Sequence, residues 1–371
     1  MNVLIVKTSS LGDVLHTLPA VTDAARALPG IRFDWVVEEA YAEIPSWHPA
    51  VERVIPVALR RWRKAPWKAA GSGEWRRFKR LLRARRYDRV IDAQGLLKSA
   101  LITRLVRGVR CGLDRRSAWE PLASLAYQVR VAVRPEQHAI TRMRQLFAAA
   151  LGYAAPEDTP DYGIVLNNLL KRPPLPLEGG EGEGERVKGI FQHTVKADPA
   201  PPGGQPYVVF LHGTTWDSKH WPQDYWKALA RIAAGAGYAV HLPWGNARER
   251  SRAEAIAAAC EGTTVLPAMS LSEIATELSG ARGVCGVDSG LAHLAAALAV
   301  PAVTVYGATE AALTGTRGRR QVQLQARFPC SPCQRTQCRY RGPSGVTPAC
   351  YEQLAPDKVW RALLPLMSSG E

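Results

Sequence analysis

Val3-Leu-Ile-Val6, Lys7-Thr-Ser-Ser-Leu-Gly12 and Asp13-Val-Leu-His-Thr-Leu-Pro19 follow one another as a short buried strand, a polar turn and the start of a helix. The helical pattern continues through Val14, Leu15, Leu18, Val21 and Ala25. Strand, turn and helix open a βαβ unit, and the rhythm recurs. Phe33–Val37, Val51–Val57 and Arg89–Ile91 read as further strands with helical patterns between them. A chain of such units predicts a parallel sheet covered by helices on both faces.

The rhythm breaks between residues 171 and 206, where 14 of 36 residues are Pro or Gly. The tract Glu178-Gly-Gly-Glu-Gly-Glu-Gly-Glu185 offers nothing to bury, so the segment is predicted to be a disordered linker. The rhythm then restarts. Tyr207–Leu211, Tyr238–Leu242, Thr263–Leu266, Gly283–Val287 and Ala302–Val305 are expected strands. Pro222–Gly235, Arg248–Cys260 and Gly290–Leu298 are expected helices, and Ser270-Leu-Ser-Glu273 has the spacing of a capping box. The expected organisation is a Rossmann-like domain over 1–168, a linker or insertion over 169–206, and a second such domain over 207–371. The final helix is left able to pack back on the first domain. Two such domains would hold a ligand in the cleft between them, at the carboxyl ends of their strands.

The chain has 371 residues, and 48 Lys and Arg against 33 Asp and Glu leave a net charge of +15. Residues 51–100 carry 15 of those cations and 4 acidic residues, so the excess sits mainly in the first domain. An anionic partner is implied: nucleic acid, a membrane surface or a phosphorylated substrate. Arg60-Arg-Trp-Arg-Lys64 and Arg76-Arg-Phe-Lys-Arg80 interleave cations with Trp62, Trp67, Trp75 and Phe78. A solvated helix face, an interfacial membrane patch and a stacking platform for single-stranded nucleic acid all fit that pattern. No apolar run reaches the ~18 residues of a membrane span, and the first residues lack the pattern of a signal peptide. A cytosolic protein, free or peripheral on a membrane, is the expectation, and seven cysteines in so long a chain suit a reducing compartment.

Three strand-to-helix turns carry candidate chemistry. In the first, Asp13 stands at a helix start, where it either caps the helix or takes a proton from a nucleophilic hydroxyl. The turn matches neither a Walker loop nor a dinucleotide fingerprint. In the second, His212-Gly-Thr-Thr-Trp-Asp-Ser-Lys-His-Trp221, Thr214 and Thr215 supply hydroxyl donors and Lys219 a point charge suited to phosphate. In the third, Ser289, Gly290 and Leu291 present backbone N–H groups that would seat a pyrophosphate, Asp288 caps the turn or accepts from sugar hydroxyls, and His293 is either a core residue or a ligand. No Asp-x-Asp pair is present to hold Mg²⁺ under a nucleotide, so a transfer needing no catalytic cofactor is expected. Cys330, Cys333, Cys338 and Cys350 have a spacing that could wrap a structural Zn²⁺ or iron, or they are free thiols. Cys111, Cys260 and Cys285 read as core residues.

These motifs resemble a known family. Val6–Pro19, Trp35-Val-Val-Glu-Glu39, Ile44-Pro-Ser-Trp-His48, Arg60–Lys64, Asp92-Ala-Gln-Gly95, Glu120-Pro-Leu-Ala-Ser124, Lys219-His-Trp-Pro222, Pro243-Trp-Gly245 and Asp288–His293 are similar to the ADP-heptose:lipopolysaccharide heptosyltransferases of glycosyltransferase family 9. The resemblance implies a GT-B fold and inverting transfer of L-glycero-D-manno-heptose from ADP-heptose to the first Kdo of Kdo2-lipid A. The alternative within the family is a later core acceptor, which the cysteine cluster resembles more closely. By resemblance, Asp13 is the general base, and Thr214, Thr215 and Lys219 bind the phosphates. Glu249 and Met269 lie near ribose and adenine. Asp288, Ser289, Gly290, Leu291 and His293 form the donor-sugar and phosphate loop, and Arg60, Arg61, Arg63 and Lys64 bind the acceptor. The implied location is the cytoplasmic face of the inner membrane, with an anionic lipid surface as partner. Trp119 stands where the family often has Arg, leaving Arg115 or Arg116 to substitute. Nucleic acid is not an expected partner, because it would explain the basic face but not three polar turns in two α/β domains.

Overall fold

A computed structural model of the chain describes residues 1–64, 67, 72–171 and 205–368. The predicted linker falls almost wholly outside these residues. The chain divides into two compact units, Met1–Ala197 and Asp198–Glu371.

The first unit holds a six-stranded sheet of β1 (Asn2–Val6), β2 (Arg32–Glu38), β3 (Val51–Val57), β4 (Arg89–Asp92), β5 (Val109–Leu113) and β6 (Val129–Val131). The strands run in the order β3-β2-β1-β4-β5-β6, and every pairing is parallel. The second unit repeats this plan with β7 (Tyr207–Leu211), β8 (Ala239–Leu242), β9 (Thr263–Val265), β10 (Gly283–Val287), β11 (Ala302–Tyr306) and β12 (Gln321–Gln325). Its order is β12-β11-β10-β7-β8-β9, again all parallel. Both are the doubly wound dinucleotide-binding order, with the direction of winding reversing between β1 and β4 and between β7 and β10.

The central strands are apolar on both faces because helices cover both. Val3, Leu4, Ile5 and Val6 are all fully buried, each such side chain contributing about 1.5–3 kcal/mol. The helix Leu11–Ala27 follows β1 and packs against the helix Ala139–Leu151. In the second unit Val208 and Phe210 share one core with Trp226, Leu229 and Trp360.

Three strands went unread in the sequence. β5 contains Gly112, where a Cβ would come within 2.4 Å of the Tyr127 ring, so a poor strand former is required there by a neighbour. β6 is only three residues, and β12 is a Gln-rich edge. The final helix, Pro356–Ser368, packs on its own sheet, with Leu363 and Met367 crowding Gly283. Val359, Trp360 and Leu363 are buried in the second unit's core.

Candidate functional site

In the first unit the chain leaves β1 at Val6 and enters the helix at Leu11. Ser10, not Asp13, is the N-cap, and Asp13 lies one turn in. The Ser10 N–H and hydroxyl both donate to Asp13 Oδ2 at 2.8 Å, and Lys7 Nζ lies 3.4 Å from Oδ1. Lys7 is buried and also donates to the Ala93 carbonyl at 3.0 Å. The Asp13 side chain keeps 42% of its surface open. Desolvation pushes its pKa upward, but the Lys7 ammonium and the Ser10 bonds outweigh this and hold it below the ordinary carboxylate value. Asp13 is therefore an ionised, partly open carboxylate, able to accept a proton.

The turn is fastened from across the switch point. Gln94 Oε1 accepts the Thr8 and Ser9 N–H groups at 3.0 and 3.1 Å. Asp92, fully buried at the end of β4, accepts the Gln94 and Gly95 N–H groups at 2.9 and 3.0 Å and the Tyr127 hydroxyl at 2.7 Å. Desolvation raises its pKa, with these donors opposing. Asp92 is thus a positioning residue. Lys7 and Gln94 stood inside quoted motifs, but nothing in the sequence showed that those two motifs meet.

The basic cluster divides. The Arg61 guanidinium forks onto Glu39 at 3.1–3.2 Å and reaches Glu74 at 2.9 Å. Arg60 donates its N–H to Glu38 at 3.0 Å and one guanidinium nitrogen to the Tyr41 hydroxyl at 3.1 Å. Arg63 and Lys64 are exposed, and no ion pair engages them among the described residues. The aromatics do not form an open face. Phe78 is buried, Trp62 and Trp75 meet edge-on at 5.7 Å, and Trp62 Nε1 donates to Glu74 at 2.6 Å. They join the helices Leu59–Lys64 and Glu74–Arg83, which corrects the membrane and stacking readings of Trp62 and Phe78; Trp75 keeps 37% of its surface exposed. Trp67 alone stays wholly open.

In the second unit the loops after β7 and β10 meet at the corresponding switch point. Lys219 Nζ lies 2.7 Å from Asp288 Oδ2, and Thr214 donates to the Asp288 carbonyl at 3.0 Å. Thr309, from the loop after β11, donates to Asp288 Oδ2 at 2.6 Å, a contact the sequence did not signal. His293 is buried, with Nε2 3.9 Å from Asp288 Oδ1. Lys219 also sits over the Trp216 ring at 4.4 Å. Asp288 therefore anchors the loop and the cation together. Ser289 caps the helix Gly290–Ala297, accepting from the Ala292 N–H at 3.4 Å. The N–H groups of Gly290 and Leu291 lie in the first helical turn, where no intrahelical acceptor exists.

Glu249 sits on the loop side of the helix Ala247–Ala257 and accepts the Gly245 N–H at 2.7 Å. Gly213 lies close beside it: a Cβ there would fall 2.7 Å from Glu249 Cδ, so a larger residue would push that carboxylate aside. Met269 is half-buried in the turn after β9, just before the Ser270–Glu273 capping box, and Thr215 is exposed. His212 and His220 are held neutral, each with a pKa pushed down to about 4 by desolvation and by the Arg252 charge.

Cys330, Cys333, Cys338 and Cys350 line one cavity of about 460 Å³, all as free thiols. Among the described residues no group of three or more His, Cys, Asp or Glu is placed to hold a metal ion, so the expected Zn²⁺ or iron site finds no support there. Cys350 is buried under Gly307 while Cys330 is exposed, and burial raises the Cys350 thiol to about 12, which keeps it protonated. The segment instead braces the Lys219 loop: Ser218 N–H donates to the Thr336 carbonyl at 3.1 Å, and the Tyr351 hydroxyl to the Lys219 carbonyl at 2.9 Å. Cys111 and Cys285 are buried as expected, and Cys260 is partly so.

A sequence model of glycosyltransferase family 9 (heptosyltransferase) matches residues 75–343. Lipopolysaccharide heptosyltransferase 1 of Pseudomonas aeruginosa is 50% identical, over 100% of this chain and 99% of its own. The solved E. coli heptosyltransferase WaaC with ADP shares 48% identity at a TM-score of 0.76, over 88% of this chain and 94% of that one. The same enzyme with ADP-2-deoxy-2-fluoro heptose also superposes at 0.76, with 44% identity over 98% of this chain and 99% of that one. With the paired parallel sheets and polar loops at both switch points, this chain belongs to glycosyltransferase family 9, the heptosyltransferases.

Proposed function

We propose that this heptosyltransferase moves L-glycero-D-manno-heptose from ADP-heptose to the first Kdo of Kdo2-lipid A with inversion at the anomeric carbon. The second unit binds the donor. Lys219 and the N–H groups of Gly290 and Leu291 face the pyrophosphate, with Thr214 and Thr215 beside it. Glu249 and Met269 lie toward the ribose and adenine, and Asp288 and His293 toward the sugar. The first unit supplies Asp13 as base and Arg60, Arg63 and Lys64 for the acceptor's carboxylates and phosphates. Arg61 serves there by holding Glu39 and Glu74.

The chemistry balances in one displacement. The acceptor hydroxyl attacks the anomeric carbon as its proton passes to Asp13, and the bond to the β-phosphate breaks, releasing ADP. Lys219 and the helix N-terminus stabilise the charge that gathers on the departing diphosphate. Asp13 is ionised when this begins, because Lys7 and Ser10 keep its pKa low. The acceptor's lipid places the reaction at the cytoplasmic face of a membrane.

The observation that supports this reading is the placement of Asp13 in the first turn of the helix that follows β1, and of Lys219 and Asp288 on the loops that leave β7 and β10, the strands at the two switch points. Relatives solved with ADP and with a fluorinated ADP-heptose support the donor. The test is ADP release with ADP-heptose, comparing Kdo2-lipid A, an already heptosylated acceptor, and ADP-mannose as the other donor. Turnover with Kdo2-lipid A and ADP-heptose well above the other pairs is expected. Preference for the heptosylated acceptor would refute the acceptor assignment.

A further inference from the structure

The helix Leu97–Arg104 and the 3₁₀ turn Pro121–Ala126 are built inside out. They pack on each other through small residues: Ala100, Ala123 and Ala126 are buried around Tyr127. Their large apolar side chains point outward instead. Leu97, Leu101, Leu122 and Leu125 are 45–66% exposed, and Trp119, beside them, is 71% exposed. A soluble surface ordinarily turns leucines inward, since each one left in water forgoes about 1.5–3 kcal/mol. Apolar side chains gathered on one face mark an interaction site.

The rim identifies the partner. Lys98, Arg104, Arg115, Arg116 and Arg130 are all exposed around the patch. The acidic Glu120 is turned to the backbone, accepting the Leu97 N–H. Exposed leucines bordered by exposed cations match the apolar interior and anionic headgroups of a bilayer. No described helix is long and apolar enough to cross a membrane, so contact would be at the surface. The patch also adjoins the candidate base. The Ala93–Leu96 loop that receives Lys7 and, through Gln94, the Thr8 and Ser9 N–H groups runs directly into this helix. Trp119 meets the same loop, its backbone N lying 3.7 Å from the Cβ position of Gly95.

We infer that Leu97, Leu101, Trp119, Leu122 and Leu125, with their basic rim, form the surface by which this enzyme seats on an anionic lipid bilayer. The proposal rests on the heptosyl-transfer reading only in that a lipid-borne acceptor gives the seat its purpose. It reassigns membrane contact from the Trp62–Phe78 cluster, which is used internally, to a face that is open.

The test is flotation of the full chain with phosphatidylcholine vesicles with and without phosphatidylglycerol. Wild type is expected to float with the anionic vesicles only. The triple variant Leu101→Asn, Leu122→Asn, Leu125→Asn, which leaves charge unchanged, should lose about tenfold or more in partition. Its melting temperature, its ADP affinity and its turnover of a deacylated, water-soluble acceptor should match wild type. Lys98→Gln with Arg104→Gln should lower the preference for anionic vesicles. Wild type that fails to float, or a triple variant that floats equally well, overturns the inference. So does a wild-type dimer that the triple variant makes monomeric without change in flotation. Patch-dependent flotation in a protein that transfers no heptose would support the seat and refute the proposed reaction.

Discussion

Replacing Asp13 by Asn separates the chemistry of this side chain from its part in holding the turn. The amide oxygen still accepts from Ser10, while the negative charge and the proton affinity are gone. Loss of a general base costs about 10²–10⁴-fold in rate, or about 2.7–5.4 kcal/mol on the barrier. The stability change is smaller. Asp13 makes two 2.8 Å bonds to Ser10 and a 3.4 Å pair with Lys7 in which its own side chain is 42% exposed. Removing the reciprocal cap costs about 1 kcal/mol, and the part-exposed pair contributes at most about 1 kcal/mol more. Lys7 keeps the Ala93 carbonyl. Asp13→Ala should therefore lower Tm by roughly 2–8 °C at ~2–4 °C per kcal/mol, and Asp13→Asn by less. Both should lose kcat by the same large factor, while ADP affinity measured by calorimetry stays at the wild-type value. Asp13→Asn with wild-type kcat, or with a loss that follows Tm or ADP affinity, would refute the base assignment. The pH profile adds a second check. A lowered pKa means that the pair with Lys7 stabilises the fold above the ordinary carboxylate value and that this is lost only as pH falls through the lower folded value. No Asp13-linked loss of activity or stability is expected between pH ~5 and 8, and an acid limb in that window abolished by Asp13→Asn would contradict the shift.

Lys219→Met leaves Asp288 buried without its cation at 2.7 Å, so a loss of about 3–5 kcal/mol by chemical denaturation is expected, together with weaker ADP binding. Adding Asp288→Asn should restore much of the stability but not the affinity. Gly213→Ala puts a methyl group 2.7 Å from Glu249 Cδ and so displaces that carboxylate; ADP affinity should fall in calorimetry while Tm stays near the wild-type value. Tyr127→Phe removes the 2.7 Å bond to fully buried Asp92 and should destabilise the first unit by about 1–3 kcal/mol, read by thermal melting. EDTA should leave both transfer rate and Tm unchanged, since Lys219 and backbone N–H groups are assigned the diphosphate charge. A rate restored by added divalent metal would refute that division.

The strands that carry the site were legible. β3, β7 and β10 match their expected bounds, and β1, β2, β4, β8 and β11 differ by a residue or two at their ends. The near-continuous apolar runs of β1, β7 and β10 leave few alternatives to a doubly covered parallel strand. The Ser270 capping box was legible for a similar reason, since its two bonds span only three residues. β5 and β6 were not, because Gly112 answers to the Tyr127 ring, whose position depends on Asp92. At the site, the residue types after β1, β7 and β10 pointed to phosphate and proton chemistry. Their pairings did not show: Lys7 with Asp13, Gln94 with two N–H groups, and Lys219 with Asp288 and Thr309. The cysteine spacing suggested a metal centre, but among the described residues no three such side chains are placed to hold an ion.

The chain's own order of apolar runs and polar turns determined two parallel α/β units and put chemically capable side chains at strand ends. That information is local, because strand burial and helix capping are settled within a few neighbouring residues. Which cations are spent on internal carboxylates, as Arg61 is, and which leucines face water, as Leu101 does, was decided only by the tertiary structure. Charge pairing and burial depend on what the remainder of the chain brings within a few ångströms, and residues far apart in sequence supply those neighbours.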